Sequence, residues 1–224
     1  MSDIKEVYFL DYYNSLLNGD KTRCGEIVLT LVEQGVDIKD IYTSLLQKAM
    51  YRIGKLWEQG RVSIAEEHIA SQITKGLVNL LFTRYQANKH KELKVIITCV
   101  DKEFHDIGAV MVSHIFELNG WDTFYLGAST PSREVIKLIE IKKPNIVGLS
   151  LSLYMNIGRL IDVVDEIKAK YPDMTIIIGG QGIAEDDKLI TSRHNRVFSF
   201  ASLNELDAFL VAEYAQQPEP KIVN

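Results

Sequence analysis

The chain is short of the features that mark several large protein classes. It has only two cysteines in 224 residues, Cys24 and Cys99, far apart and outside any metal-ligand spacing, which excludes a disulfide scaffold or a cysteine-based zinc site and suits buried thiols in a reducing compartment. No apolar run reaches membrane-spanning length, and the first twenty residues mix acids among their apolar positions, unlike a signal peptide. There is no basic block: 25 Lys and Arg stand against 30 Asp and Glu, a formal net charge of −5, which argues against a nucleic-acid surface. Repeats and low-complexity stretches are also missing. What is present is 46% hydrophobic residues, enough for one large core or two small ones. The reading is a cytoplasmic globular protein.

The chain divides near Lys89-His90-Lys91-Glu92, a charged connector. Before it, four helices are expected, at Asp3 to Leu17, Lys21 to Glu33, Ile38 to Gln59 and Ser63 to Asn88. They are punctuated by Gly19-Asp20, Gly35-Val36-Asp37 and Gly60-Arg61-Val62-Ser63, each pairing a helix-ending glycine with an N-cap. Short links imply an antiparallel bundle over residues 1–90. After the connector, strands near 93–99, 121–126, 145–151, 174–178 and 196–200 alternate with helices, the pattern of a doubly wound parallel α/β sheet over 91–215. A last helix, Ser202 to Ala215, runs into a polar tail at 216–224.

Chemistry concentrates in Glu103-Phe104-His105-Asp106-Ile107-Gly108. The preceding run, Leu93 to Cys99, is apolar and rich in β-branched residues, as a buried parallel strand should be. The following run, Ile107 to Leu118, has helical spacing and stops at Asn119-Gly120. His105 therefore falls at the carboxyl end of the first strand, where such sheets bind ligands. A surface histidine or helix cap is the plain alternative. Glu103 favours the functional one, because a carboxylate on one imidazole nitrogen fixes the tautomer and frees the other nitrogen for a metal. One histidine makes a poor zinc site but a sufficient axial ligand when a macrocycle supplies the other donors.

The segment resembles the cobalamin-binding domain family, whose pattern is Asp-x-His-x-x-Gly, then Ser-x-Leu after a later strand, then Gly-Gly after the next. Here the corresponding stretches are Glu103-x-His105-x-x-Gly108, the glycine loop Gly127 to Pro131, Ile146 to Ser150, and Gly179-Gly180. The resemblance implies a corrinoid whose nucleotide base is detached from cobalt and replaced by His105, its tail threading a slot beside Ser150, Gly179 and Gly180. For the glycine pair a strand-end turn is the plain alternative. Two departures stand out: Glu103 replaces the usual Asp, and Ser150 is followed by Leu151-Ser152. The hydroxyl that often completes the family's triad would fall near Asn156.

In the bundle, Trp57 is followed by nine residues and then Glu67-His68. Singly these read as a core anchor, a favourable first-turn acid and a solvated histidine. Together they are similar to the Trp-x9-Glu-His motif of cobalamin-dependent photoreceptors, which also tend to have Glu before the lower-ligand histidine. That resemblance implies adenosylcobalamin, with Trp57, Glu67 and His68 forming the pocket above the ring. An aromatic face and a carboxylate suit a stackable base and ribose hydroxyls, whereas a methyl group needs neither. Those photoreceptors usually carry a helix-turn-helix module, but this chain opens almost at once into the bundle, so direct promoter binding is not expected. The residue after the motif tryptophan, a histidine in the best-studied members, is Glu58.

The expected function is a stand-alone cobalamin-binding sensor, more a regulator than an enzyme and without catalytic residues, that passes its signal to a separate regulatory or enzyme protein and can form homo-oligomers. The alternative is a corrinoid carrier of a methyltransferase system, holding methylcobalamin. A radical mutase subunit fits less well, because such enzymes need a substrate barrel.

Overall fold

A computed structural model describes residues 4–85, 92–183 and 187–214. The connector, the end of the fourth expected helix and the polar tail lie largely or wholly outside these ranges.

The bundle begins with α1 (Glu6–Leu17) and α2 (Lys21–Glu33). Next, α3 (Ile38–Asp40), a π-helical stretch (Ile41–Gln47) and α4 (Lys48–Glu58) follow without a break, where the sequence suggested one uniform helix. The fourth arm is α5 (Ile64–Phe82). The expected caps are in place. Asp20 accepts from the Arg23 N–H, Asp37 from Lys39, and Ser63 from Glu66, whose carboxylate returns to the Ser63 N–H in a closed capping box. Gly60, at φ +69°, ends α4 and starts the tight link to Ser63. This link puts Trp57 and Glu67 on the two sides of one hairpin.

The second half alternates β1 (Lys94–Cys99), α6 (Ile107–Leu118), β2 (Asp122–Gly127), α7 (Ser132–Lys142), β3 (Ile146–Ser150), α8 (Ile157–Lys170), β4 (Thr175–Gly179), α9 (Asp187–Thr191), β5 (Val197–Ser199) and α10 (Leu203–Tyr214). All five strands are parallel, in the order β2-β1-β3-β4-β5. The chain leaves β1 to one side and returns to β3 on the other, so the switch point, where an open parallel sheet leaves a crevice, lies at the carboxyl ends of β1 and β3.

Strand alternation sorts the core. Val95, Ile97 and Cys99 of β1, with Ile177 of β4, face α6, α10 and the bundle, whereas Ile96, Val147, Leu149, Ile176 and Ile178 face α7, α8 and α9. The first of these clusters runs without interruption from Phe9 and Tyr12 of α1 through α5 to Phe116 of α6 and Leu210 of α10. The bundle is therefore seated on the sheet's α6 side through a shared core. At that seam His114 of α6 is buried, its Nδ1 2.8 Å from the Tyr42 hydroxyl and its ring stacked on Phe82 at 4.1 Å. Burial pushes its basicity down to about 4, so it stays neutral as a packing group.

Removing the α5 cap by Ser63→Ala is expected to cost about 1 kcal/mol, read as a lower urea midpoint with an unchanged slope. No change in midpoint would mean that the hairpin is held by packing alone.

Candidate functional site

The loop after β1 carries the Glu103 to Gly108 stretch, and the loop after β3 carries Ser152 to Asn156. One side chain joins them across the switch point. Glu103 is fully buried, and its carboxylate accepts four hydrogen bonds. Oε1 takes the His105 ring Nδ1 at 2.7 Å and the His105 backbone N–H at 2.9 Å. Oε2 takes the backbone N–H groups of Ser152 at 3.0 Å and Leu153 at 2.8 Å.

Burial alone would raise the Glu103 carboxyl's pKa, but these donors outweigh it and hold the value at about 2. The bond to Glu103 in turn raises the basicity of His105, against the opposing effect of burial, and Glu67 and Asp106 add smaller contributions of the same sign. Glu67 is thus within electrostatic reach of the His105 ring.

The imidazole side chain is 54% exposed. With Nδ1 given to Glu103, Nε2 is the nitrogen left to bind a metal. Among the described residues no three His, Cys, Asp or Glu side chains converge on a point that could hold an ion. The arrangement thus fits a cofactor that brings its own equatorial donors and takes one protein nitrogen below.

The neighbouring loops are tied down as well. Lys102, at φ +65°, has its N–H on the Ser129 hydroxyl at 3.1 Å and its carbonyl on Asn156 Nδ2 at 3.2 Å. The Ser129 N–H donates to the Glu103 carbonyl at 2.9 Å. Asn156 therefore straps the backbone before Glu103 and makes no bond to its carboxylate. The second carboxylate oxygen is filled by the Ser152 and Leu153 amides. Ser152 also points its hydroxyl at the His105 carbonyl, 3.5 Å away. Phe104, beside His105, is 67% exposed, and Ile107 packs on the shared core as Gly108 stays open.

The glycine pair divides into two roles. A Cβ on Gly180, at φ +111°, would lie 2.1 Å from the Leu151 carbonyl oxygen, so this glycine is demanded by the turn itself. A Cβ on Gly179 would meet nothing within 4 Å, and Gly179 is the register partner of Ser150. Gly179 therefore leaves open space beside Ser150 at the carboxyl ends of β3 and β4. Gly127 closes β2, its carbonyl accepting from Thr98 at 3.3 Å, and the loop it opens reaches Glu103 through Ser129.

In the bundle, the core-anchor reading of Trp57 fails, since the residue is 43% exposed. Glu67 is only 17% exposed in its side chain, bonded to the Ser71 hydroxyl at 2.7 Å and to His68 Nδ1 at 2.8 Å, whereas His68 is 70% exposed. Residues the sequence reading passed over are Lys75 and Tyr125, which bind Asp106 at 2.7 and 3.1 Å. Lys75 lies two helical turns beyond Glu67, so helical spacing was the one signal that could have found it.

A buried carboxylate orienting one outward imidazole at the switch point, beneath a helical bundle, defines a single-histidine cofactor-binding protein. The B12 binding domain family matches in two parts, residues 9–81 over the bundle and residues 93–201 over the sheet, and the chain belongs to this family of cobalamin-binding proteins. Dimethylamine corrinoid protein 3 of Methanosarcina acetivorans is 26% identical over 161 residues, 69% of this chain and 76% of that protein. The HTH-type transcriptional repressor CarH of Myxococcus xanthus is 21% identical over 140 residues, 62% of this chain, and this chain spans 46% of CarH. Among solved structures, the monomethylamine corrinoid protein of Methanosarcina barkeri shares the fold at a TM-score of 0.81, with 18% identity, covering 92% of this chain and 98% of that one. Among the described residues no helix is long and apolar enough to cross a membrane.

The Glu103–His105 pair sets a pH window. His105, more basic when folded, adds stability below the free imidazole value of about 6.5 and loses it as pH rises through its higher native value. Glu103 adds stability above the free carboxyl value of 4.5 and loses it only as pH falls toward 2. Glu103→Gln turns one acceptor oxygen into a donor facing two N–H groups, at an expected cost of about 3 kcal/mol. In this variant the His105 ring protons should titrate at lower pH than in the parent. An unchanged NMR titration of His105 would show that the carboxylate does not govern the ring.

Proposed function

We propose that the protein is a cobalamin-dependent regulator that holds adenosylcobalamin between bundle and sheet, with His105 as the lower cobalt ligand and Trp57, Glu67 and His68 around the upper group, and that signals the loss of that group to a separate protein. The observation that carries this reading is Trp57. A tryptophan left 43% exposed, on the same hairpin as a carboxylate in electrostatic reach of His105, has a surface to offer and little packing role. The cofactor supplies a cobalt–carbon bond that light can break. The chain supplies the rest: Glu103 fixes the imidazole tautomer, Gly179 and Ser150 leave room for the tail, and Trp57 and Glu67 distinguish a large upper group from a small one.

A second reading is a corrinoid carrier that presents a methyl group to methyltransferases. It is favoured by the coverage of both halves in the dimethylamine and monomethylamine corrinoid proteins. The two readings diverge at the upper face. A sensor needs a fitted upper group and a population shift when that group leaves, whereas a carrier needs that face open to a partner enzyme.

The deciding experiment loads the protein in the dark with adenosylcobalamin or methylcobalamin and records absorption spectra before and after green light. The sensor reading expects preferential adenosyl binding and a stable spectral change on illumination, both dependent on His105. It also expects Trp57→Ala to reduce the adenosyl-over-methyl preference by about tenfold, the scale of one lost aromatic contact. Equal affinity for the two forms, in parent and variant alike, would remove Trp57 from this role and favour the carrier.

A further inference from the structure

Helix α5 presents Glu67, Ser71 and Lys75 at four-residue intervals, and so on one face. The first two are joined by the Ser71 hydroxyl donating to Glu67 at 2.7 Å. The third leaves the bundle altogether: Lys75 Nζ lies 2.7 Å from Asp106 Oδ1. On its other oxygen Asp106 accepts from the Tyr125 hydroxyl of β2 at 3.1 Å. Burial and the neighbouring carboxylate raise the basicity of that phenol, so it keeps its proton and donates.

Asp106 directly follows His105 and stands at the N-cap of α6, where an aspartate ordinarily accepts from the first-turn amides. Here its side chain makes no cap bond and is turned sideways, to the bundle and to β2. The side chains are 35% exposed for Lys75 and 12% for Asp106. Removing either partner of such a half-buried pair leaves the other charge uncompensated, so the contact holds more strongly than a solvated surface pair.

We infer that Lys75 and Asp106 are positioning residues that tie the His105 loop to the helix carrying Glu67. Glu103 fixes the tilt of the imidazole from below, and Asp106 fixes the backbone immediately after it from the bundle side. Added to the shared core, this strut then helps to set the distance between the His105 loop and α5, so a change at either face of the cofactor is felt at the other. The inference rests on His105 being the cobalt ligand, and holds whether the protein is a sensor or a carrier.

The test uses the full chain and the variants Lys75→Met, which keeps the stem but removes the charge, and Lys75→Arg, which restores it. Two quantities are read. One is amide hydrogen exchange at residues 104–109 without cofactor. The other is the histidine-ligated fraction of bound cob(II)alamin, from the nitrogen splitting of its electron paramagnetic resonance signal with and without heavy-nitrogen labelling of the protein's histidines. Lys75→Met is expected to speed exchange at 104–109 and to lower the ratio of ligated to unligated cobalt by about fivefold, the scale of one partly buried ion pair, with Lys75→Arg restoring both. Parent-like exchange and ligation in Lys75→Met would overturn the inference. Splitting that does not change when the protein's histidines carry the heavy nitrogen isotope would instead sink the ligand assignment, and the exchange result would still decide the strut. Should Lys75→Met fail to fold, Asp106→Asn, which keeps the acceptor for Tyr125, is measured in the same way. Global unfolding of both variants would mean a general structural brace and would also overturn the positioning role.

Discussion

Everything at this site depends on one buried carboxylate. An ionised group taken out of water is tolerated only when its lone pairs are filled, and Glu103 fills them with four N–H donors from two loops. That requirement brings the β1 and β3 loops together at the switch point, aims one imidazole outward and assigns its tautomer. Loss of one donor would weaken the hold on all the others, because they share the same two oxygens.

The bundle reaches the His105 loop from the other side. It is seated by a shared apolar core and by His114 against Tyr42 and Phe82, and one face of α5 is left to deal with the His105 loop. The polar residues on that face have distinct tasks: Glu67 adds negative potential near the imidazole, and Lys75 holds the backbone beyond it. Core and ion pair both resist separation of bundle and sheet. Trp57 at the α4–α5 hairpin and Phe104 in the His105 loop stay exposed.

Much of this was legible in the residues. Short continuous apolar runs rich in β-branched residues placed the five strands to within a residue or two, and glycine followed by Asp or Ser placed the helix starts, because both signals act locally. The Glu103–His105 contact was legible for the same reason, the two residues being close in sequence. What was not legible depends on distant parts of the chain meeting. Nothing local says that Gly180 faces the Leu151 carbonyl and Gly179 faces open space, or that Trp57 lies outside the core, or that Lys75 finds Asp106. The π-helical stretch at Ile41–Gln47 also left no mark in the apolar spacing.

Glu103, a methylene longer than an aspartate, and Asn156 divide the task of fixing this loop. The longer glutamate arm carries its carboxylate to the backbone amides of Ser152 and Leu153, so the second oxygen is satisfied by main chain and has no use for a side-chain hydroxyl. Asn156 is buried and spends its amide on the carbonyl of Lys102, a non-glycine residue held at φ +65°. That conformation is costly for a residue with a side chain, and the bonds from Asn156 and Ser129 offset the cost and set the direction in which Glu103 enters the core. Backbone amides do not titrate in the neutral range and relay no proton, whereas a hydroxyl can accept one proton as it passes on another. The Glu103 side of the imidazole is therefore built to hold one carboxylate charge state and one ring orientation.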